Sequence, residues 1–290
     1  MLTVLVTGSY GQLGSEIKDI AHHFPDFAFL FHDVDTLDIT DFETLSIFFQ
    51  EHPIHYIINC ASYTQVDRAE EDPESAYLIN ATGSEYLAKL ADSHSSRLIH
   101  ISTDYVFDGM KGTPYQEEDV PNPLSIYGKS KLAGEKHVLQ YADNMVIRTS
   151  WLYSSYGSNF VKKINALSHQ KKSISVVTDQ VGSPTYAHDL AHSILTIISA
   201  ISAGTCSWQP GMYHYSNEGS CSWYELALAI VKKNRSRCEV VPIKTDEYPL
   251  PAPRPAYSIL NKEKIKSQYK IRIPEWPESL SVCMQKIQQK

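Results

Sequence analysis

The sequence predicts an α/β chain: a doubly wound parallel sheet with a smaller mixed α/β lobe attached. Three observations lead there. From Leu2 to Thr149, apolar runs of strand length alternate with amphipathic runs of helical length, the rhythm of repeated βαβ units. The first run ends in a glycine-rich turn, Thr7-Gly8-Ser9-Tyr10-Gly11-Gln12-Leu13-Gly14, directly before a helical segment. Beyond Trp151 the rhythm loosens into short strands, turns and isolated helices. The expected division is a sheet domain over 1–150 with 186–204 packing back onto it, and a substrate lobe over 151–185 and 205–290.

The bulk properties narrow the class. The chain has 290 residues, 42% hydrophobic and 20% charged, ordinary for a globular protein and long enough to bury a substantial core. A net charge of -7 without any Lys/Arg-rich run argues against nucleic acid as a partner, since that contact is mostly cationic. The five cysteines are odd in number, widely spaced and without a Cys-x-x-Cys pair, which suits reduced thiols. The run Leu2 to Val6 meets glycine too soon for a signal-peptide core, and Leu190 to Ala203 is too short to span a bilayer. A cytoplasmic protein with no membrane partner is expected.

Each element follows from local pattern. Thr3 to Thr7 is β-branched and apolar, a buried parallel strand. The turn after it, spaced Gly-x-x-Gly-x-x-Gly, lets backbone approach a dinucleotide pyrophosphate at the N-terminus of the helix that follows. The second strand, Phe27 to His32, runs into Asp33, where an acidic residue often binds the adenosine ribose. Thr40 and Glu43 have capping-box spacing at the start of a helix to Glu51, which leaves Asp38 without a capping role. The third strand, His55 to Ala61, delivers a polar loop, Ser62 to Asp72, to the carboxyl edge of the sheet. Ala61, Ser62, Tyr63 and Val66 are therefore candidate ligand neighbours.

Asp72-Pro73 reads as an N-cap with proline in the first turn of a long helix to Ser93, along which Asn80 reads as a buried amide bonded to backbone. The fourth strand, Arg97 to Ser102, ends abruptly in Thr103-Asp104. A helix then carries Tyr127-Gly128-Lys129-Ser130-Lys131, and Met145 to Thr149 is the fifth strand. Beyond Trp151, helices are expected from Gly157 to Gln170, Ala187 to Ala203, Trp223 to Lys233 and from Ser279, with strands at Ser173 to Val177, Met212 to Tyr215 and Glu239 to Ile243.

The chemistry lies in the order of these motifs. Tyr127 and Lys131 share a helix face at i, i+4. A lysine beside a tyrosine favours the phenolate and is expected to lower the tyrosine pKa from about 10. With a phosphate-cradling turn upstream and a hydroxyl at Thr103, the set suits hydride transfer. Tyr127 would protonate the alkoxide, Lys131 would tune Tyr127 and hold the nicotinamide ribose, and Thr103 would bond the reacting oxygen.

These motifs resemble the extended short-chain dehydrogenase/reductases, Rossmann-like enzymes, and among them the dTDP-4-dehydrorhamnose reductase family. The resemblance covers nearly the whole chain. It rests on TGSYGQLG at Thr7 to Gly14, LDITD at Leu37 to Asp41, STDYVFDG at Ser102 to Gly109, YGKSK at Tyr127 to Lys131, RTSWLY at Arg148 to Tyr153 and GSPT at Gly182 to Thr185. It implies adenine contacts from Asp38 and Ile39, a cofactor wall from Ala61 to Tyr63, sugar-nucleotide contacts from Thr103, Asp104 and Trp151, and reduction of a 4-keto group on a dTDP-sugar. A monomer or homodimer is implied.

Two departures qualify the resemblance. Members that use the phosphorylated cofactor well often carry arginine after the acidic residue ending the second strand. Here Val34 follows Asp33, so NADH is expected over NADPH. Some family dimers share Mg2+ through glutamates; Glu16 matches one position, but His188 stands where another carboxylate belongs, and Mg2+ prefers oxygen. No metal centre is expected. Two rival readings stand beside this one: a reductase of a related nucleotide keto-sugar, and a non-catalytic binding subunit resembling the β subunit of methionine adenosyltransferase.

Overall fold

A computed structural model describes residues 1–289. Its centre is a six-stranded sheet in which every pairing is parallel, built from β1 (Leu2–Thr7), β2 (Phe27–Phe31), β3 (Tyr56–Asn59), β4 (Arg97–Thr103), β5 (Met145–Thr149) and a late strand, Gly211–Tyr215. The spatial order is Gly211–Tyr215, β5, β4, β3, β1, β2. The chain moves outward from β1 to β2 and then returns to build on the other side of β1. That reversal puts a crevice at the carboxyl ends of β1 and β3, where open α/β sheets bind ligands.

Helices cover both faces. On one side lie α1 (Gln12–Ile20) and, later in the chain, Ala187–Ser202, packed together over β1, β3 and β5. On the other lie α2 (Phe42–Glu51), three short segments α3 (Val66–Glu71), α4 (Pro73–Tyr77) and α5 (Gly83–Ser93), and α6 (Ile126–Val138). The strands bury both faces, as two helical layers require: Val4 and Val6 point into one core and Leu5 into the other.

The second lobe is smaller and less regular. It contains β6 (Leu152–Tyr153), α7 (Phe160–Gln170), β7 (Ser173–Val177), β8 (Val181–Gly182) and β9 (Thr185–Tyr186), then α8 (Ala187–Ser202) returning to the large sheet. After β10 (Gly211–Tyr215) come β11 (Cys221–Ser222), α9 (Trp223–Lys233), β12 (Glu239–Ile243), α10 (Glu263–Tyr269) and α11 (Trp276–Gln289). β12 pairs with β7 in parallel, and α7, α9 and α11 close a core of Val161, Leu226, Ile230, Leu280 and Met284.

Five expectations need correction. The strand at 211–215 does not belong to the smaller lobe; it pairs with β5 and completes the main sheet, and Ile265, Tyr269 and Ile273 join the same core. The polar stretch 62–72 is not all loop, because α3 forms within it. The cap of α2 is Asp41 rather than Thr40: its Oδ1 accepts from the amides of Glu43 and Thr44, each at 3.1 Å. Asp38 is also not idle, since its Oδ1 accepts from the Thr40 amide and hydroxyl, both at 2.8 Å, a local turn. The helix to Ser93 is present and capped by Asp72, but a π-turn at Leu78–Thr82 interrupts it.

Candidate active site

The crevice holds a cavity of about 530 Å3. Its wall collects residues that the sequence scatters: Gly11, Gln12 and Leu13 after β1, Ser62 and Val66 after β3, Thr103 and Asp104 at the end of β4, Tyr127 and Lys131 on α6, and Trp151 after β5. Gly8 makes the turn possible. It adopts φ +63°, and a Cβ there would lie 2.6 Å from the Ala61 amide nitrogen, so the loops after β1 and β3 meet over a bare backbone. Gly14 packs beneath the same turn. Gly11 opens α1 without any side-chain cap, leaving the first-turn amides of that helix free of side-chain partners.

The remaining expected cofactor residues sit around this turn. Asp33 accepts from the Tyr10 amide at 2.8 Å through one oxygen and from the Val34 amide at 2.9 Å through the other, joining the end of β2 to the glycine turn. Tyr10 itself is exposed. Ile39 is buried against α5, in contact distance of Gly83. Ala61 donates its amide to Asn59 Oδ1, while Ser62 and Tyr63 both donate to Asn80 Oδ1 at 2.8 Å.

Asn80 is the residue whose reach exceeds its sequence reading. It stands in the π-turn, wholly buried, and its amide nitrogen donates to the Tyr63 carbonyl and to Ser130 Oγ on α6. One amide thus ties the loop after β3 to the helix that carries Tyr127 and Lys131. π-Turns often mark such sites, and no local sequence signal announces one.

The Tyr127 phenol lies near the Thr103 hydroxyl, and its ring meets Tyr105 edge-on at 5.5 Å. Burial pushes its pKa up to about 12, the nearby Thr103 hydroxyl works against that shift, and the Asp104 charge adds to it. The expectation that Lys131 lowers this value is therefore corrected: desolvation dominates and the nearby charge is negative. Asp104 is raised by its own burial to about 6, against the Thr103 hydroxyl that bonds to its Oδ1 and the nearby Ser258 hydroxyl. Lys131 is pushed down to about 8 by burial, with Glu135 and Cys60 opposing. Its ammonium donates to the Ile101 carbonyl at 2.7 Å and faces His100 Nε2 at 3.4 Å.

Glu16 is held by three neighbours. One oxygen accepts from Ser154 Oγ at 2.6 Å, and the other faces His188 Nδ1 and Lys286 Nζ, each at 3.3 Å. The buried carboxylate is thus engaged by a hydroxyl, an imidazole and a lysine of α11. A second cavity, about 820 Å3, adjoins the first across Phe160 and Trp223; Lys163, Lys171 and Arg254 line it with apolar side chains of α7 and β7. Trp223 and Phe160 were legible in sequence only as helix starts.

A parallel doubly wound sheet, a glycine turn at its reversal point and a buried Tyr/Lys helix at the same edge define a Rossmann-type fold of the extended short-chain dehydrogenase/reductase class. The chain belongs to the family described as RmlD substrate binding domain, whose model matches residues 2–289. It is 38% identical over 287 residues to a dTDP-4-dehydrorhamnose reductase of Aggregatibacter actinomycetemcomitans, covering 97% of each chain. It is 39% identical to the spore coat polysaccharide biosynthesis protein SpsK of Bacillus subtilis, covering 98% of each. Its backbone superposes with a TM-score of 0.93 on the crystal structure of dTDP-4-dehydrorhamnose reductase from Bacillus anthracis in complex with NADP, at 38% identity, covering 99% of this chain and 100% of that one. Among the described residues, no helix is long and apolar enough to cross a membrane.

Proposed function

We infer that the chain is an oxidoreductase that reduces the 4-keto group of dTDP-4-dehydro-L-rhamnose to give dTDP-L-rhamnose. The carrying observation is the cavity that brings Thr103, Tyr127, Lys131 and Trp151 to the same crevice as the glycine turn. When bound, a reduced nicotinamide dinucleotide supplies hydride to the carbonyl carbon. Tyr127 Oη gives its proton to the oxygen as negative charge develops there. With its pKa raised to about 12, the phenol carries that proton throughout the neutral range. Thr103 steers the same oxygen, and Lys131 holds the nicotinamide ribose. Gly8, Gly11, Gln12, Leu13 and Gly14 cradle the pyrophosphate, with Asp33 at the adenosine ribose and Asp38 and Ile39 at the adenine.

The two cavities suit the two halves of a sugar nucleotide. The sugar faces Thr103, Asp104, Val66 and Trp151, and Lys163 and Lys171 of the second cavity suit a diphosphate, while Arg254 beside them is paired with Asp67. Asp33 presents a carboxylate without an adjacent cation, which favours an unphosphorylated ribose, so NADH is the preferred donor. The B. anthracis relative's complex with NADP makes NADPH the comparison to run.

The test is turnover. Protein, freshly generated dTDP-4-dehydrorhamnose and either NADH or NADPH are mixed, the loss of reduced-cofactor absorbance is followed, and the product is identified by NMR. Tyr127→Phe is expected to lower turnover about 10²–10⁴-fold, the usual worth of a positioned acid, with dinucleotide affinity retained. Dinucleotide binding without oxidation by the unmodified protein would overturn the enzymatic reading, and unchanged turnover in Tyr127→Phe would overturn the proton assignment.

A further inference from the structure

Trp151 sits in a conformation its side chain disfavours. Its φ is +47°, in the left-handed region that bulky residues rarely adopt, at a cost on the order of 1–3 kcal/mol. Such a conformation persists only where the surroundings over-determine it. Three contacts do so. The Trp151 carbonyl accepts from the Thr185 amide at 3.2 Å. The indole lies on Gly182, where a Cβ would fall 2.5 Å from Trp151 Cε2 and 2.7 Å from Nε1. Its other support is Trp223, stacked with ring centroids 3.6 Å apart and planes 7° from parallel.

Gly182 and Trp223 are not independent. β8 ends in Gly182 and pairs antiparallel with β11, in the register Cys221↔Gly182 and Ser222↔Val181, and Trp223 is the next residue along. Ser222 and Glu225 form a reciprocal capping box at the start of α9, which fixes the direction in which that helix leaves the ladder. Phe160 then leans on Trp223 with centroids 4.5 Å apart. One two-stranded ladder of the smaller lobe therefore supplies both the floor beneath Trp151 and the ring above it. Trp151 lines the first cavity, and Trp223 and Phe160 stand between the first and the second.

We propose that Trp223 and Gly182 are positioning residues that clamp the Trp151 indole in place and thereby set the width of the passage between the sugar and nucleotide halves of the pocket. The proposal rests on the reading that Trp151 contacts the sugar nucleotide. Trp223 acts through Trp151, so its removal raises KM for the dTDP-sugar while leaving the proton-transfer groups where they are.

The experiment compares the unmodified protein with Trp223→Leu, Trp223→Phe and Gly182→Ala. Exciton-coupled circular dichroism reads the stacked indoles without any ligand, and melting temperature reads folding. Trp223→Leu should abolish the exciton signal and raise KM for the dTDP-sugar roughly tenfold, the scale of a sub-ångström misplacement, with kcat and cofactor KM within about twofold. Trp223→Phe keeps a planar ring and should restore most of the KM, although the indole pair is gone. Gly182→Ala, which displaces Trp151 directly, should raise KM at least as much as Trp223→Leu. The proposal is overturned if Trp223→Leu loses the exciton signal but keeps the original KM, or if Phe and Leu raise KM equally. The affinity for dTDP-L-rhamnose, read by tryptophan fluorescence, should weaken in parallel and needs no turnover. An unmodified protein that binds this ligand without catalysing reduction would sink the reductase reading while leaving the clamp measurable.

Discussion

Helix α6 buries two opposite charges one turn apart, and the structure treats them differently. Glu135 is fully engaged: its carboxylate accepts from Arg148 Nε at 2.8 Å and Nη2 at 2.7 Å, and from Ser102 Oγ at 2.6 Å. Lys131 has one firm acceptor, the Ile101 carbonyl. The ring facing it cannot serve as a second. Asn59 Oδ1 takes the Thr7 hydroxyl and the Ala61 amide, so Asn59 Nδ2 must donate to His100 Nδ1, which leaves the proton on Nε2, towards Lys131. An ammonium with three donors thus has bonding capacity in reserve at the edge of a cavity, whereas the carboxylate one turn on has none. Complete pairing suits a group that joins α6 to β4 and β5, and incomplete pairing suits one that awaits a ligand.

The largest effect should fall on the closed pair. Glu135→Gln leaves the Arg148 guanidinium buried beside a neutral amide, and losing one partner of a buried ion pair costs about 3–5 kcal/mol. Denaturant unfolding should show that loss, while per-molecule turnover at low temperature stays near that of the unmodified protein. The joint change Glu135→Leu with Arg148→Met removes both charges and should recover most of the stability. If Glu135→Gln is neutral to folding, the contrast between the two charges fails.

Lys131→Met probes the open charge and should reverse the pattern. Turnover should fall about a hundredfold, but folding should be unharmed. The sign follows from the lowered pKa: the folded state releases this proton near pH 8 and the unfolded state near 10.5, so the ammonium is a net cost to folding below pH 8, a cost that fades as pH rises towards 10.5. Below pH 8, Lys131→Met should match or exceed the original melting temperature. A loss of stability comparable to that of Glu135→Gln would make Lys131 a framework residue too.

This contrast also marks where sequence pattern stops informing. Strands β1 to β5 were legible because two-sided burial demands continuous apolar runs, and the glycine turn because backbone contact excludes side chains. β10 was legible as a strand but not as a partner of β5, since pairing across some sixty residues leaves no local trace. Asp41 displaced Thr40 as the cap because the two differ by one residue in register, and Asp38 already held Thr40. At the site, spacing placed Tyr127 and Lys131 on one helix, but their proton affinities depend on what covers them. Burial by Thr103, Asp104 and the loop after β3 overrode the pairwise attraction that the motif suggested. Trp223 escaped notice as a site residue because its relation to Trp151 exists only through the β8–β11 ladder.

Asp104 supplies the smallest and sharpest test, because it is a buried carboxylate with no cation matched to it, the acidic counterpart of Lys131. Burial raises its pKa to about 6. Between the unfolded value near 3.8 and that folded value, the native state holds a proton that the unfolded state has lost. Stability therefore falls as pH rises through this window, and above pH 6 the full cost remains. Asp104→Asn removes the titration while keeping an oxygen for the Thr103 hydroxyl, which donates to Asp104 Oδ1 at 3.1 Å. The variant should be more stable than the unmodified protein at pH 7.5, by on the order of 3 kcal/mol, and the gain should vanish towards pH 4. The Tyr127 phenol should at the same time become more acidic, because the Asp104 charge is one of the causes holding it up. A stability difference that stays flat from pH 4 to 7.5 would show that Asp104 is as well paired as Glu135, and the contrast between closed and open buried charges would fail at this position.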